Sequence, residues 1–522
     1  MNKSPFLSIL FAALTGALFG ETCPGTILYQ NTFDAPDARA AWLTAKQVSW
    51  ESVDGHGTVL TVSSPATNTK PPTATARLKL NLTPYRGLHV DFFCLAKAEN
   101  VSKPSQHWNG IKFMLHYTSP SEGEQWKAMP ARFGSFGWQQ LAYQLTLPDD
   151  IGEAELTLGL QDSFGRVSFD DVKIVVDRRQ KIVPPPPMRN PPPAYKGHAL
   201  PRLRGAMICC EYNDTNLRTF GQEWGANLIR WQITRSWGVT GANRDLAEYG
   251  CWLDGRLAEL DKVLAACTRY GMMAVVDLHT PAGGRYEDKS LAMFYEKTYA
   301  DAFVRAWEKI ARRYKGNPAV WAYDLVNEPT QNAPVPPDRE DYWDLQIRAA
   351  HAVRRIDPDT PILFEVDQWD GPDGFRFVKP VDIPRVIYQV HMYQPGTFTH
   401  QKVFSPDAPE YRYPGLIGKE QVDKETLRKI LQPVRDFQLA YNVSIYVGEF
   451  SAIRWAPGAC DYLRDCIDIF EEYGWDWTYH AFREWDGWSV EHTADKTNPA
   501  PSATPTDRQQ LLRGWFAKNK KP

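Results

Sequence analysis

A strong charge of either sign is missing from this chain of 522 residues, in which 59 basic side chains stand against 62 acidic ones for a formal net charge of −3. That balance leaves no electrostatic footprint for nucleic acid or for an anionic membrane surface, and it favours a neutral partner. Zinc-type cysteine spacing is missing too: Cys209 and Cys210 are adjacent, and Cys460 and Cys466 have no histidine beside them. These patterns ask for no metal and no cofactor. The apolar run from Phe6 to about Phe19 falls short of the ~20 residues that a membrane span needs. Preceded by Lys3 and followed by small residues, it has the layout of a secretory signal peptide over residues 1–20, so a mature chain starting near Glu21 and secretion are expected. Export would let the eight cysteines pair, although at this length they do not dictate the fold.

What is present is apolar and aromatic: 43% hydrophobic and 13% aromatic residues can bury large cores, and the length suggests more than one domain. The chain breaks at "VPPPPMRNPPPAYKG", where seven prolines in ten residues favour a stiff, extended polyproline segment. We read residues 179–197 as a linker between an N-terminal domain over 22–178 and a C-terminal domain over 198–520. In the N-terminal part, short runs such as "TVLTVSS", "ARLKLNL", "IKFMLHY" and "AELTLGL" alternate in period two between Gly, Pro, Asp and Ser clusters, which predicts a β-sandwich. Its "YQNTFDAP" and "SFDDVKIVV" resemble jelly-roll carbohydrate-binding modules. Trp42, Trp50, Trp108, Trp126 and Trp138 are candidates for sugar stacking or for core packing.

The C-terminal part alternates strand and helix patterns. Apolar runs recur at "LRGAMI", "NLIRWQI", "MMAVVDLH", "VWAYDLVNE", "PILFEVD", "RVIYQVHMY", "SIYVGEF" and "DWTYHAF". Stripes at helical spacing lie between several of them, including Leu257, Leu260, Leu264 and Cys267, and Phe303, Trp307, Ile310 and Tyr314, with Gly271 and Gly316 as stops. Eight such units predict one (β/α)8 barrel, whose chemistry sits at the carboxyl ends of the strands. Those ends offer Arg230, His279, Asn327 with Glu328, His391 with Tyr393, and Glu449.

"NLIRWQI", "VVDLHT", "VWAYDLVNEP", "VHMYQPGTFTHQ" and "IYVGEF" together resemble the successive strands of glycoside hydrolase family 5, the cellulase A family, over about Leu203 to Trp488. The resemblance implies a retaining glycosidase with Glu328 as acid/base and Glu449 as nucleophile. It also implies Arg230, His279, Asn327, His391 and Tyr393 as substrate-binding or carboxylate-orienting residues. A tryptophan is expected at the end of strand eight as the floor of the sugar site; Trp477, Trp485 and Trp488 are the contenders and Trp485 is chosen. The physical requirement agrees, since glycoside cleavage needs two carboxyl groups in different protonation states. Pro329, with no amide hydrogen, ends the ladder beside the acid.

An endo-acting β-1,4-glucanase is the expected activity, on the strength of "HMYQPGTFTHQ", with β-mannan and xyloglucan as alternative substrates. Trp231, Trp237, Trp252 and Trp369 are further stacking candidates. A polysaccharide is then the partner of a monomer that needs neither nucleic acid nor membrane. Two other classes fit less well. A metal-dependent barrel hydrolase would carry a histidine pair after the first strand, where "AMICCEYND" has none, and a non-catalytic glycan-binding protein would have lost a carboxylate.

Overall fold

The computed structural model describes residues 23–66, 70–71, 73–106, 108–209, 211–235 and 243–522. The expected signal peptide, Cys210 and Trp237 lie outside the described residues. The chain divides into two units between Gln180 and Lys181.

The first unit is built from two antiparallel sheets. One runs Val48–Val53, Gly57–Ser64, Gly165–Val176, His89–Val101, Gly134–Thr146, with Ile27–Asn31 also paired to Gly165–Val176. The other runs Leu43–Thr44, Ala74–Leu80, Ala154–Gln161, Gly110–Ser119, Gly123–Ala128. Period-two alternation explains the burial: Ala74, Ala76 and Leu78 turn inward while Arg77 and Lys79 face out. Inward residues of both sheets share one core, where the Phe92 and Tyr143 rings stack at 4.5 Å and Phe113 meets Tyr143 edge-on at 5.1 Å. The tryptophans divide. Trp42 and Trp50 pack on Phe33, and Trp138 stacks on His56, whereas Trp108 and Trp126 are 59% and 56% exposed.

The proline-rich stretch forms neither helix nor strand and is held against the second unit. Ile182 N–H donates to Arg376 O (2.7 Å), Pro192 O accepts from Asn442 Nδ2 (3.1 Å) and Lys196 O accepts from Trp321 Nε1 (3.1 Å). A polyproline backbone has carbonyls with no internal partner, and barrel side chains supply the donors. Among the described cysteines, Cys94, Cys251, Cys267, Cys460 and Cys466 form no disulfide, and Cys94, Cys267 and Cys466 are buried as small apolar side chains. No described helix is long and apolar enough to cross a membrane.

The second unit is a closed barrel of eight parallel strands: β1 (Arg204–Cys209), β2 (Leu228–Gln232), β3 (Met273–Asp277), β4 (Val320–Asp324), β5 (Ile362–Phe364), β6 (Val386–Met392), β7 (Ile445–Phe450) and β8 (Asp476–Tyr479). Helices α1 (Leu246–Tyr270), α2 (Lys297–Tyr314), α3 (Tyr342–Arg354), α4 (Lys424–Tyr441), α5 (Ala459–Tyr473) and α6 (Asp507–Phe516) surround it. Local signals set their ends. In α1, the Asp245 side chain caps Ala247 and Glu248 N–H, the stripe Leu253, Leu257, Leu260, Leu264 and Cys267 is buried, and Gly271 closes the helix at φ +70°. Between β5 and β6 the connection is made by short turns, among them Pro372–Phe377.

Inside the barrel the layers change character along the strands. An apolar floor is built from Leu203, Leu228, Val275, Trp321, Ala322, Leu363, Ile387 and Tyr446. Two residues further on, the same inward face carries Arg230, Asp277, Asp324, Glu365 and Gln389, every one of them fully buried. Gly448 stands at this level of β7, where an added Cβ would lie 2.5 Å from Gln389 Cδ, so the glycine makes room for that amide. Another step brings the strand ends and the site.

Trp321 joins the floor to the polyproline segment, being 1% exposed and bonded to Lys196 O. Trp321→Ala should destabilise the barrel by about 3–5 kcal/mol. A denaturant titration checks this through the shift of its midpoint, and a loss below about 1 kcal/mol would show that the floor repacks freely.

Candidate active site

The site is organised around one guanidinium. Arg230 on β2 is fully buried and donates through Nε to Asp324 Oδ2 (2.7 Å), through Nη1 to Glu449 Oε1 (2.7 Å) and through Nη2 to Glu365 Oε1 (3.1 Å) and Asn327 Oδ1 (3.1 Å). Asp277 Oδ2 lies 3.3 Å from Nη2. Each of these bonds is charge-assisted in a water-excluded interior, and together they fix side chains from β3, β4, β5 and β7. Burial opposes the charge on Arg230, but the surrounding carboxylates outweigh it and hold its pKa well above the ordinary value.

Glu449, at the end of β7, is buried and doubly held. Besides Arg230 it accepts from Tyr393 Oη (2.8 Å), with His480 Nδ1 at 3.4 Å and His391 Nδ1 at 3.8 Å from its outer oxygen. Burial alone would raise its pKa; His391, His480, Arg230 and His279 around it outweigh burial and hold the carboxyl far below the usual range.

Glu328 is held by its backbone. β4 ends at Asp324, and the chain continues through Asn327 to Glu328, whose φ of +48° is left-handed for a residue with a side chain. Three contacts brace that turn. Glu365 Oε2 accepts the Glu328 N–H (2.6 Å), Arg285 Nη2 donates to the carbonyls of Asn327 (3.0 Å) and Glu328 (2.8 Å), and Thr330 Oγ1 donates to Glu328 O (3.2 Å). The carboxyl faces His391 Nδ1 at 3.1 Å and is 13% exposed, against 4% for Glu449. An oxygen of Glu328, an oxygen of Glu449 and a nitrogen of His391 all lie within 4.8 Å of one another.

Six of the residues singled out from sequence, with Glu328, converge on this spot. Arg230, Tyr393 and His391 touch one carboxyl or the other. Asn327 gives its oxygen to Arg230, so its NH2 is left for a ligand. His279 Nδ1 bonds Asp277 Oδ2 at 2.8 Å. Trp485 stands apart. The residue at the end of β8 beside Glu449 is His480, and Trp485 lies further out, 41% exposed, edge-on to Trp488 (5.8 Å) and Trp455 (6.0 Å). The indole falls in the turn beyond the strand, so Trp488 and not Trp485 covers His480, at 5.7 Å. Trp477 is in the core, as is Trp231, while Trp369, 40% exposed, is fixed beside the acid turn by a bond from its backbone N–H to Pro329 O (3.3 Å).

Sequence reasoning missed a layer of acids. Asp277, Asp324, Glu365 and Asp370 are buried together beneath the two glutamates; burial first, then their mutual charges, pushes Asp324 and Glu365 upward, and burial does the same to Asp370. The available signal was an acid ending each apolar run, in "VVD", "AYD" and "LFE". Arg285 and Glu484 lie in loops and carried none. Donor atoms of Glu365, Asp370 and His391 also lie within 4.8 Å of one another. Both Glu365 oxygens already accept hydrogen bonds, Oε1 from Arg230 and Gln389 and Oε2 from Glu328 N–H, so this acid is tied into the barrel's own network.

Two carboxyl groups facing each other across the top of a closed (β/α)8 barrel, one ionised by an arginine, make up the site of a barrel glycosidase. Residues 194–486, more than half of the chain, match the family Cellulase (glycosyl hydrolase family 5). The chain belongs to that family and is an endoglucanase-like glycoside hydrolase. It is 28% identical over 300 residues to Cellodextrinase A of Ruminococcus flavefaciens, covering 54% of this chain and 84% of the relative. To Endoglucanase C of Acetivibrio thermocellus it is 26% identical over 260 residues, 44% of this chain and 74% of the relative. Among solved structures, Thermotoga maritima Cel5A in complex with cellobiose is similar at 20% identity and a TM-score of 0.46, over 60% of this chain and 97% of that one.

Removing Arg230 would strand several buried acids at once. Arg230→Met should cost about 3–5 kcal/mol of stability, read from thermal or denaturant unfolding, and a neutral result would mean that the acids carry no charge for it to balance.

Proposed function

We propose that the protein is a secreted, monomeric endo-β-1,4-glucanase acting by double displacement, with Glu449 as nucleophile and Glu328 as acid/base. The observation that carries this reading is the pair itself, two carboxyl groups with oxygens within 4.8 Å in opposite settings. Retaining glycosidases hold their carboxyl groups about 5–5.5 Å apart, whereas inverting ones need about 6.5–9.5 Å to admit a water. Glu328 gives its proton to the glycosidic oxygen as Glu449 attacks the anomeric carbon, and the leaving sugar departs. Glu328 then takes a proton from water, which attacks the glycosyl-enzyme and frees Glu449. Asn327, through its remaining NH2, is suited to the sugar 2-hydroxyl, a contact that strengthens in the transition state. Arg230 and Tyr393 offset the charge that Glu449 carries before attack and regains on release.

The endoglucanase and cellodextrinase names of the relatives support a β-glucan substrate. The half-exposed rings of Trp369, beside the acid turn, and of Trp485, in the turn beyond β8, are suited to stacking on sugar rings. Secretion rests on the layout of residues 1–20. The N-terminal unit is suited to holding polysaccharide through Trp108 and Trp126, whose rings lie open to solvent.

Glu449→Gln should lower turnover by at least about 10³-fold while leaving oligosaccharide binding intact, measured by reducing-sugar release and calorimetry; unaltered turnover would refute the assignment. A product profile on soluble β-glucans, xyloglucan and β-mannans should show internal cleavage of β-1,4-glucan first, and a preference for mannan would overturn the substrate. In the full chain, Trp126→Ala should weaken retention by insoluble cellulose without altering hydrolysis of soluble substrate; unchanged retention would count against a binding role for that ring.

A further inference from the structure

The outer oxygen of Glu449 is served by a chain of which the mechanism above uses only the first member, Tyr393. Tyr393 Oη–H donates to Glu449 Oε2 at 2.8 Å, and the same hydroxyl is in hydrogen-bond contact with His480 Nδ1. His480 Nε2 lies 3.0 Å from Glu484 Oε2, which also accepts from Gln232 Nε2 at 3.2 Å. Counting protons decides what this chain requires. A tyrosine hydroxyl has one hydrogen, so if it goes to Glu449 the contact with His480 must be an Nδ1–H donating to the phenol oxygen. An ionised Glu484 can only accept, so Nε2 must carry hydrogen as well. Both ring nitrogens are then donors, which is the imidazolium form. A neutral His480 with its hydrogen on Nε2 turns Nδ1 into an acceptor, and the single tyrosine hydrogen then has two claimants.

We propose that Glu484, His480 and Tyr393 form a relay that commits the tyrosine hydrogen to Glu449, and that His480 acts as a positioning residue for the nucleophile and not as a floor for the sugar. This rests on the reading of Glu449 as nucleophile. The groups that face His480 come from several elements: Glu484 from the turn after β8, Glu449 from β7 at 3.4 Å, Glu328 from beyond β4, and His400 from the loop after β6, whose own pKa is lowered by burial and further by the His480 charge. Trp488 covers the ring at 5.7 Å and 29°. Burial on its own would lower the pKa of His480; the charges of Glu484 and Glu449 outweigh burial and push it up to about 9. The relay is therefore set below that pH and loosens as pH rises through it, when Glu449 loses a committed donor.

The test separates this from titration of Glu328. A 2,4-dinitrophenyl β-cellobioside needs no proton on its leaving group, so the alkaline limb of its kcat/KM reports the nucleophile's side alone. The wild-type enzyme should keep such a limb, and Glu484→Gln should move it to lower pH by about one unit or more. The His480 ring signal followed by NMR should titrate at the same pH as the limb in each protein and shift with it, while dispersed amide signals show that the variant is folded. The relay is refuted if the limb stays in place while the His480 titration moves, or if wild-type His480 titrates no higher than a free histidine. Undiminished cleavage of the same glycoside by Glu449→Gln would overturn the nucleophile assignment instead, and the NMR titration would still decide whether His480 is held charged.

Discussion

A permanently charged guanidinium in the dry interior of the barrel is what the site is built on. An arginine cannot shed its proton there, so its charge must be met by carboxylates with good geometry, and Arg230 is met from four neighbouring strands or their ends. The acids in turn tolerate burial only because the arginine is present. Such a cluster is an expensive way to fill a core, and apolar residues would do so at lower cost. What it supplies is orientation: the planar fork fixes Glu449 and Asn327 relative to each other, and Glu365, tied to the same fork, fixes the Glu328 backbone.

The two glutamates consequently differ in how they are held. Glu449 sits within strand β7, just past a bulge at Gly448 in the pairing with β6, with both carboxylate oxygens bonded to donors. Glu328 is on a left-handed turn beyond the strand, its backbone clamped by Glu365 and Arg285 and its carboxyl turned to His391 and the open side. Residues in sparsely populated backbone regions persist only where their surroundings over-determine them. Here the surroundings hold the backbone and leave the carboxyl room to exchange a proton with a ligand.

Much of this was legible in the chain. Alternating runs gave the sandwich, eight apolar runs with helical stripes between them gave the barrel, and "VNEP" and "VGEF" marked where two acids leave buried strands. The acids beneath them were harder to see. In a run such as "VVD" or "LFE" a terminal acid reads as the exposed end of a strand, and only the barrel's closure turns Asp277, Asp324 and Glu365 inward. Partners that approach from loops, Arg285 and Glu484, have no periodicity to betray them. The tryptophan expected at the end of β8 lies further along the chain for a related reason. "HAFREWDGW" offers two indoles, but the turn carries both past the position that His480 fills beside Tyr393 and Glu449. The proline-rich stretch, read as a stiff linker, lies along the barrel, where its unpaired carbonyls meet donors.

The account stands or falls on which side chain bonds to the sugar. Incubation with a 2-deoxy-2-fluoro glycoside carrying an activated leaving group, followed by peptide mass mapping, reads that bond directly. It should find a single fluoroglycosyl adduct on Glu449. An adduct on Glu328, on Glu484 or on any other carboxyl would contradict it.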